Sequence, residues 1–240
     1  MVAATTGELR SLQLRTLRLI ELACTERPAG KSVIASTGSN NTAQACAMTE
    51  RAVELGADAV LSVAPYYNRP NRRGLIRHYA QIAKAAGKPV MVYNVPARTG
   101  IDMPNDLLGE LAQIEHIDYV KQANNANLAP LDGLGLYAGN DDIFARTLEL
   151  GGCGGVLVAS QVAGPLMRRM ADEPDRRAEI DARLRPLYRA LSVTTNPIPI
   201  KAALNLPGHR VGGLRLSLAE ADEAETEVIR TALIECGLSR

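Results

Sequence analysis

A chain of 240 residues with 46% hydrophobic content is long and apolar enough to build a core, which excludes disorder as its main state. Its 27 basic and 26 acidic residues leave a formal charge of +1, and with no basic block and 3% aromatic residues nothing marks a surface for nucleic acid or anionic membrane. Apolar runs are strand-sized and broken by Gly, Pro or charge, the start lacks the basic and apolar regions of a secretion signal, and no transmembrane span is expected; small molecules in the cytoplasm are the expected partners.

In chain order, β-branched apolar runs alternate with amphipathic stretches. Strands are expected at 32–35, 59–63, 90–93, 117–121, 136–138 and 155–158, with helices at 41–55, 74–86, 105–113 and 142–150 between them. This is the pattern of a parallel α/β sheet. Asn41 and Asp141-Asp142 suit helix starts, and Gly56, Gly87 and Gly151 suit helix ends. After Ser160 only helical patterns remain, at about 165–170, 174–191, 199–204 and 218–236.

Alternation alone fits both an open doubly wound sheet and a closed barrel. The glycine-rich phosphate loop that usually opens the first is missing, and Gly151-Gly152-Cys153-Gly154-Gly155 precedes a strand instead of following one. The four cysteines are dispersed and the three histidines do not join them at metal-ligand spacing, so neither zinc nor disulfides are expected.

There are five lysines against 22 arginines, and only Lys121 interrupts an apolar strand, near its C-terminal end. On a parallel barrel that end faces the mouth, where apolar walls would lower the pKa of the amine and free it to attack a carbonyl. Position alone equally fits a lysine reaching water from an edge strand. Tyr93 ends another strand and offers a phenol for proton transfer or simply a packed ring, while Arg98 on the following loop offers a fork for a carboxylate. Tyr66-Tyr67 on a Pro-bounded loop fits an interface, and Thr5-Thr6-Gly7-Glu8 fits either an anion site or an ordinary helix start.

Together, Thr5-Thr6-Gly7-Glu8, Pro65-Tyr66-Tyr67-Asn68-Arg69-Pro70, Tyr93-Asn94-Val95-Pro96 with Arg98-Thr99-Gly100, Val120-Lys121 and Asn196-Pro197-Ile198-Pro199 resemble, in order and spacing, the dihydrodipicolinate synthase family of class I aldolase-like barrels. The resemblance spans nearly the whole chain. It implies a TIM (β/α)8 barrel followed by a C-terminal helical domain, divided here as 1–164 and 165–240. It also implies condensation of pyruvate with L-aspartate 4-semialdehyde, without metal or cofactor, on the route to diaminopimelate and lysine. By motif, Lys121 forms the Schiff base and Tyr93 shuttles protons through Thr5 to Tyr67 of a neighbouring subunit in a homotetramer of dimers. Thr5 and Thr6 hold the pyruvate carboxylate, Arg98 holds that of the semialdehyde, and the Val156 carbonyl faces the lysine.

Three departures shape the expectations. Family members carry a strand, a helix and a second strand before the Thr-Thr-Gly turn, whereas Met1 falls four residues ahead of Thr5, so a barrel lacking its first βα unit and second strand is expected. Gln122 and Asn140 stand where the family has acids. Leu9, Arg10, Leu14, Leu17 and Gln44 replace residues of lysine-inhibited relatives, with only Asn40 and Tyr66 kept, so weak or absent feedback by lysine is expected. An N-acetylneuraminate lyase-like or 2-keto-3-deoxy-sugar-acid aldolase and a non-catalytic remnant are the alternatives.

Overall fold

The structure is a computed structural model, and it describes residues 15–239. Thr5 and Thr6 lie outside the described residues. Among those described, α1 (Arg15–Thr25) leads into an alternation of β1 (Ile34–Ser36), α2 (Thr42–Glu54), β2 (Ala59–Val63), α3 (Arg72–Ala86) and β3 (Val90–Asn94). A short α4 (Pro96–Thr99), α5 (Asn105–Leu111), β4 (Ile117–Gln122), β5 (Gly135–Ala138), α6 (Phe144–Glu149) and β6 (Gly154–Gly155) follow. The chain then continues as α7 (Ser160–Asp172), α8 (Arg177–Ala190), α9 (Ile198–Asn205) and α10 (Glu223–Glu235).

The six strands form one sheet in sequence order, and every ladder is parallel. Successive residues of a strand face opposite ways, and here the two faces meet different neighbours. Val60, Val90, Val92, Val120 and Leu136 pack outward on Leu75, Tyr79 and Ile82 of α3 and on Leu107, Leu108 and Leu111 of α5. Leu61, Met91, Tyr93, Tyr119 and Tyr137 point the other way and gather on the inner face with Val156. A third cluster joins α7, α8, α9 and α10 to Ile143, Phe144 and Ala145, so the C-terminal helices pack on the last βα unit.

Local chemistry places the ends of the elements. Asn41 and Asn71 accept the Gln44 and Gly74 N–H groups and so cap α2 and α3. An added Cβ at Gly152 would stand 2.5 Å from Thr147 Cγ2 and 2.7 Å from its carbonyl, so only glycine lets the chain turn this closely from α6 into β6.

Several expected boundaries move. The strand expected over 155–158 stops at Gly155, which leaves Val156 outside the strand. The Val156 N–H still reaches the Ala138 carbonyl at 2.9 Å, but the Asp141 carboxylate then takes the N–H groups of Val158 and Ala159, each at 3.0 Å, and draws the chain out of the ladder. The last helix begins at Glu223 and not near 218, because Asp222 and Glu225 form a reciprocal capping box. Residues 96–99, expected as loop, close one helical turn on Pro96.

Candidate active site

Lys121 is the fifth residue of β4, on the inner face, between Tyr93 of β3 and Tyr137 of β5 in direct register. Its side chain is only 5% exposed, which answers the question that position left open: this lysine does not reach out to bulk water. Its ammonium nitrogen stands 4.0 Å from the centre of the Tyr93 ring. Burial lowers its pKa from the ordinary 10.5 to about 8, with the Asp141 charge pulling it up and that of Arg98 pushing it down. A measurable fraction of the amine is therefore neutral near pH 7.

Lys121 opens on a cavity of about 1210 Å³ between the C-terminal ends of the strands and α8 and α9. Tyr93, Arg98, Asp141, Val156 and Tyr188 share its wall. The Arg98 guanidinium donates to the Asn196 carbonyl at 3.1 Å and to the Thr195 hydroxyl at 3.4 Å, which fixes its plane at the cavity wall. Four of the sequence-derived site residues, Lys121, Tyr93, Arg98 and Val156, thus meet around one space.

Tyr67 does not join them. It is 88% exposed, with a left-handed φ of 69° that a tyrosine rarely adopts. Asn68 holds this turn by donating to the Asn40 carbonyl at 3.0 Å, while the Asn40 amide donates to the Tyr66 carbonyl at 3.2 Å.

Sequence reasoning treated Asp141 only as a helix start. Burial raises its carboxyl from 3.8 to about 6, against the opposing hydrogen bonds from Ala159 and Val158. Also overlooked is an amide-rich ring on the outer side of β4. Asp102 receives the side-chain amides of Asn94 at 2.9 Å, Asn124 at 3.1 Å and Asn127 at 2.8 Å. Burial opposes its charge, but these bonds together with the Met103 N–H outweigh burial and hold the carboxyl below its ordinary value. Gln122 joins through its carbonyl oxygen, which accepts from the Asn94 amide and the Asn124 N–H, while its own amide nitrogen is buried without a partner. The Asn-rich run 124–127 was the available signal.

The family model for the dihydrodipicolinate synthetase family matches residues 1–235. The chain belongs to this family. Among relatives, a 4-hydroxy-tetrahydrodipicolinate synthase of Cyanothece sp. is 39% identical over 252 residues, covering 97% of this chain and 84% of the relative. One of Kosmotoga olearia is 38% identical, covering 100% of this chain and 87% of the relative. Among solved structures, the family enzyme of Cyanidioschyzon merolae with lysine bound superposes with a TM-score of 0.91 at 37% identity, over 99% of this chain and 85% of that one. The Acinetobacter baumannii enzyme complexed with pyruvate superposes at 0.93 and 33% identity, over 98% and 86%. Family membership puts the buried lysine and its cavity in a lyase setting. Among the described residues no helix is long and apolar enough to cross a membrane.

Proposed function

We propose that this chain is a Schiff-base lyase that condenses pyruvate with L-aspartate 4-semialdehyde to 4-hydroxy-tetrahydrodipicolinate. The observation that carries the reading is Lys121, buried at the strand ends, stacked on Tyr93 and brought by burial to a pKa of about 8. Its neutral amine attacks the ketone carbon, and with the uptake of one proton, delivered through Tyr93, the carbonyl oxygen leaves as water and a protonated imine remains. Loss of a methyl proton from that imine gives an enamine, whose carbon attacks the aldehyde. Tyr93 carries the protons, with Thr5 and a neighbouring subunit's Tyr67 completing the relay. Thr5 and Thr6 hold the pyruvate carboxylate, Arg98 holds that of the semialdehyde, and the Val156 carbonyl faces the lysine. The iminium is itself the electron sink, so the reaction as drawn uses no metal or cofactor.

The same reading makes the six-stranded sheet part of a (β/α)8 barrel in residues 1–164, with a helical domain in 165–240. The departure from helical geometry at Ala163 inside α7 supports a division there. A homotetramer and a cytoplasmic setting belong to this reading, and the exposed Tyr67 supports contact between subunits. The 4-hydroxy-tetrahydrodipicolinate synthases among the relatives favour the semialdehyde over a sugar aldehyde. The test is a coupled assay with pyruvate plus semialdehyde against pyruvate plus N-acetylmannosamine. Turnover of the semialdehyde supports the proposal, and a clear preference for the sugar reverses it.

A further inference from the structure

Asp141 lines the cavity that Lys121 opens on, and one of its oxygens takes two backbone hydrogen bonds. Oδ1 accepts the N–H groups of Val158 and Ala159, each at 3.0 Å, so the carboxylate is clamped in place by the chain that leaves β6. The second oxygen is free of this clamp. We propose that Asp141 is a positioning residue that supplies the fixed counter-charge of the Lys121 iminium and so keeps the imine nitrogen protonated; the proposal rests on the Schiff-base reading above.

The argument is one of charge balance. Converting a lysine ammonium and a ketone into an iminium and water leaves one positive charge on the same nitrogen, and the electron sink exists only while that charge does. An iminium surrenders its proton more readily than the ammonium it replaces, and burial, which already lowers Lys121 to about 8, acts on it in the same direction. Without a nearby anion the imine would lose its proton close to neutral pH. Enamine formation needs it, because breaking the methyl C–H bond sends that electron pair into the new C=C bond and the C=N π pair onto nitrogen, cancelling the positive charge.

The other charged groups on the wall do not fill this role. Arg98 is cationic and pushes the lysine down. Asp142 accepts from the Asn125 amide at 3.0 Å and is not among the charges that move Lys121. Arg185 is paired with Asp181 at 2.5 Å, Lys201 donates to the Gly213 carbonyl at 2.6 Å, and Arg189 is a further cation. Asp141 is the carboxylate whose charge raises the Lys121 pKa.

Asp141→Asn tests this, because the amide oxygen can still accept both N–H groups while the charge is removed. Three readouts apply: borohydride labelling of Lys121 with pyruvate, hydrogen–deuterium exchange of the pyruvate methyl at saturating pyruvate, and the Lys121 titration followed by NMR. The expected variant keeps the label at about pH 6, loses roughly tenfold or more of the methyl exchange at about pH 8, and titrates Lys121 about one unit lower. A labelled variant that exchanges and titrates like the wild type overturns the proposal alone. No label on wild-type Lys121 overturns the Schiff-base reading and this proposal with it.

Discussion

The Lys121 ammonium nitrogen lies 4.0 Å from the centre of the Tyr93 ring, and the two residues are direct partners in the β3–β4 ladder. A strand pair separated by one hydrogen-bonding step thus puts a buried amine on the face of a phenol. The ring accommodates the charged form while the surrounding apolar wall favours the neutral one.

The first prediction follows from the lowered pKa. Its folded value of about 8 lies below the ordinary 10.5, so between these values the unfolded chain binds more protons and stability rises with pH. The lysine contributes least to stability below pH 8, where burial must accommodate its charge. Lys121→Met should therefore stabilise the fold near pH 7 by on the order of 3 kcal/mol, with the gain gone at about pH 10.5. Denaturant titrations at the two pH values check this, and turnover by the variant should be reduced at least ~10³-fold.

Tyr93→Phe keeps the ring under the ammonium and deletes only the hydroxyl. Turnover should fall by roughly 10²-fold or more, with the borohydride label on Lys121 and the thermal midpoint both retained. A variant that turns over like the wild type removes Tyr93 from the proton relay.

How much of this arrangement was legible in the sequence depends on the residue. Lys121 could be found because strand-end position and the scarcity of lysine single it out, Tyr93 by its strand-end position and Arg98 by its place on the following loop, and the resemblance tied them together. Asp141 could not, because a carboxylate before a helical stretch reads as a cap. Only the folded chain brings the Val158 and Ala159 amides to it. The same bonds explain the overlong sixth strand: 156–158 has the composition of a strand, but its amides go to a side chain. Gln122 was noticed as a departure, yet its link to Asn94 and Asn124 crosses from β4 to β3 and to the turn after β4. Nothing in local periodicity reports such a link.

Arg98→Ala should separate the two substrates. Removing the guanidinium should raise the KM for the semialdehyde by roughly 10- to 100-fold and leave pyruvate labelling of Lys121 intact. The lost bond to the Asn196 carbonyl should lower the thermal midpoint slightly. Equal effects on both substrates would show that Arg98 only braces the wall.

Asp222→Ala serves as a contrast far from the chemistry. The capping box at the start of α10 loses the bond from the Glu225 N–H to the Asp222 carboxylate, while the backbone N–H of residue 222 can still donate to Glu225, and stability should drop by about 1 kcal/mol with kcat unchanged. Chemical denaturation alongside a standard rate assay decides the matter.

The most direct test of the central claim is peptide mapping by mass spectrometry after borohydride reduction in the presence of pyruvate. The account predicts one reduced adduct, on Lys121, formed with a rate that climbs toward about pH 8 as the amine becomes neutral. An adduct on Lys31, Lys84, Lys88 or Lys201, or a folded protein that carries none, would contradict it.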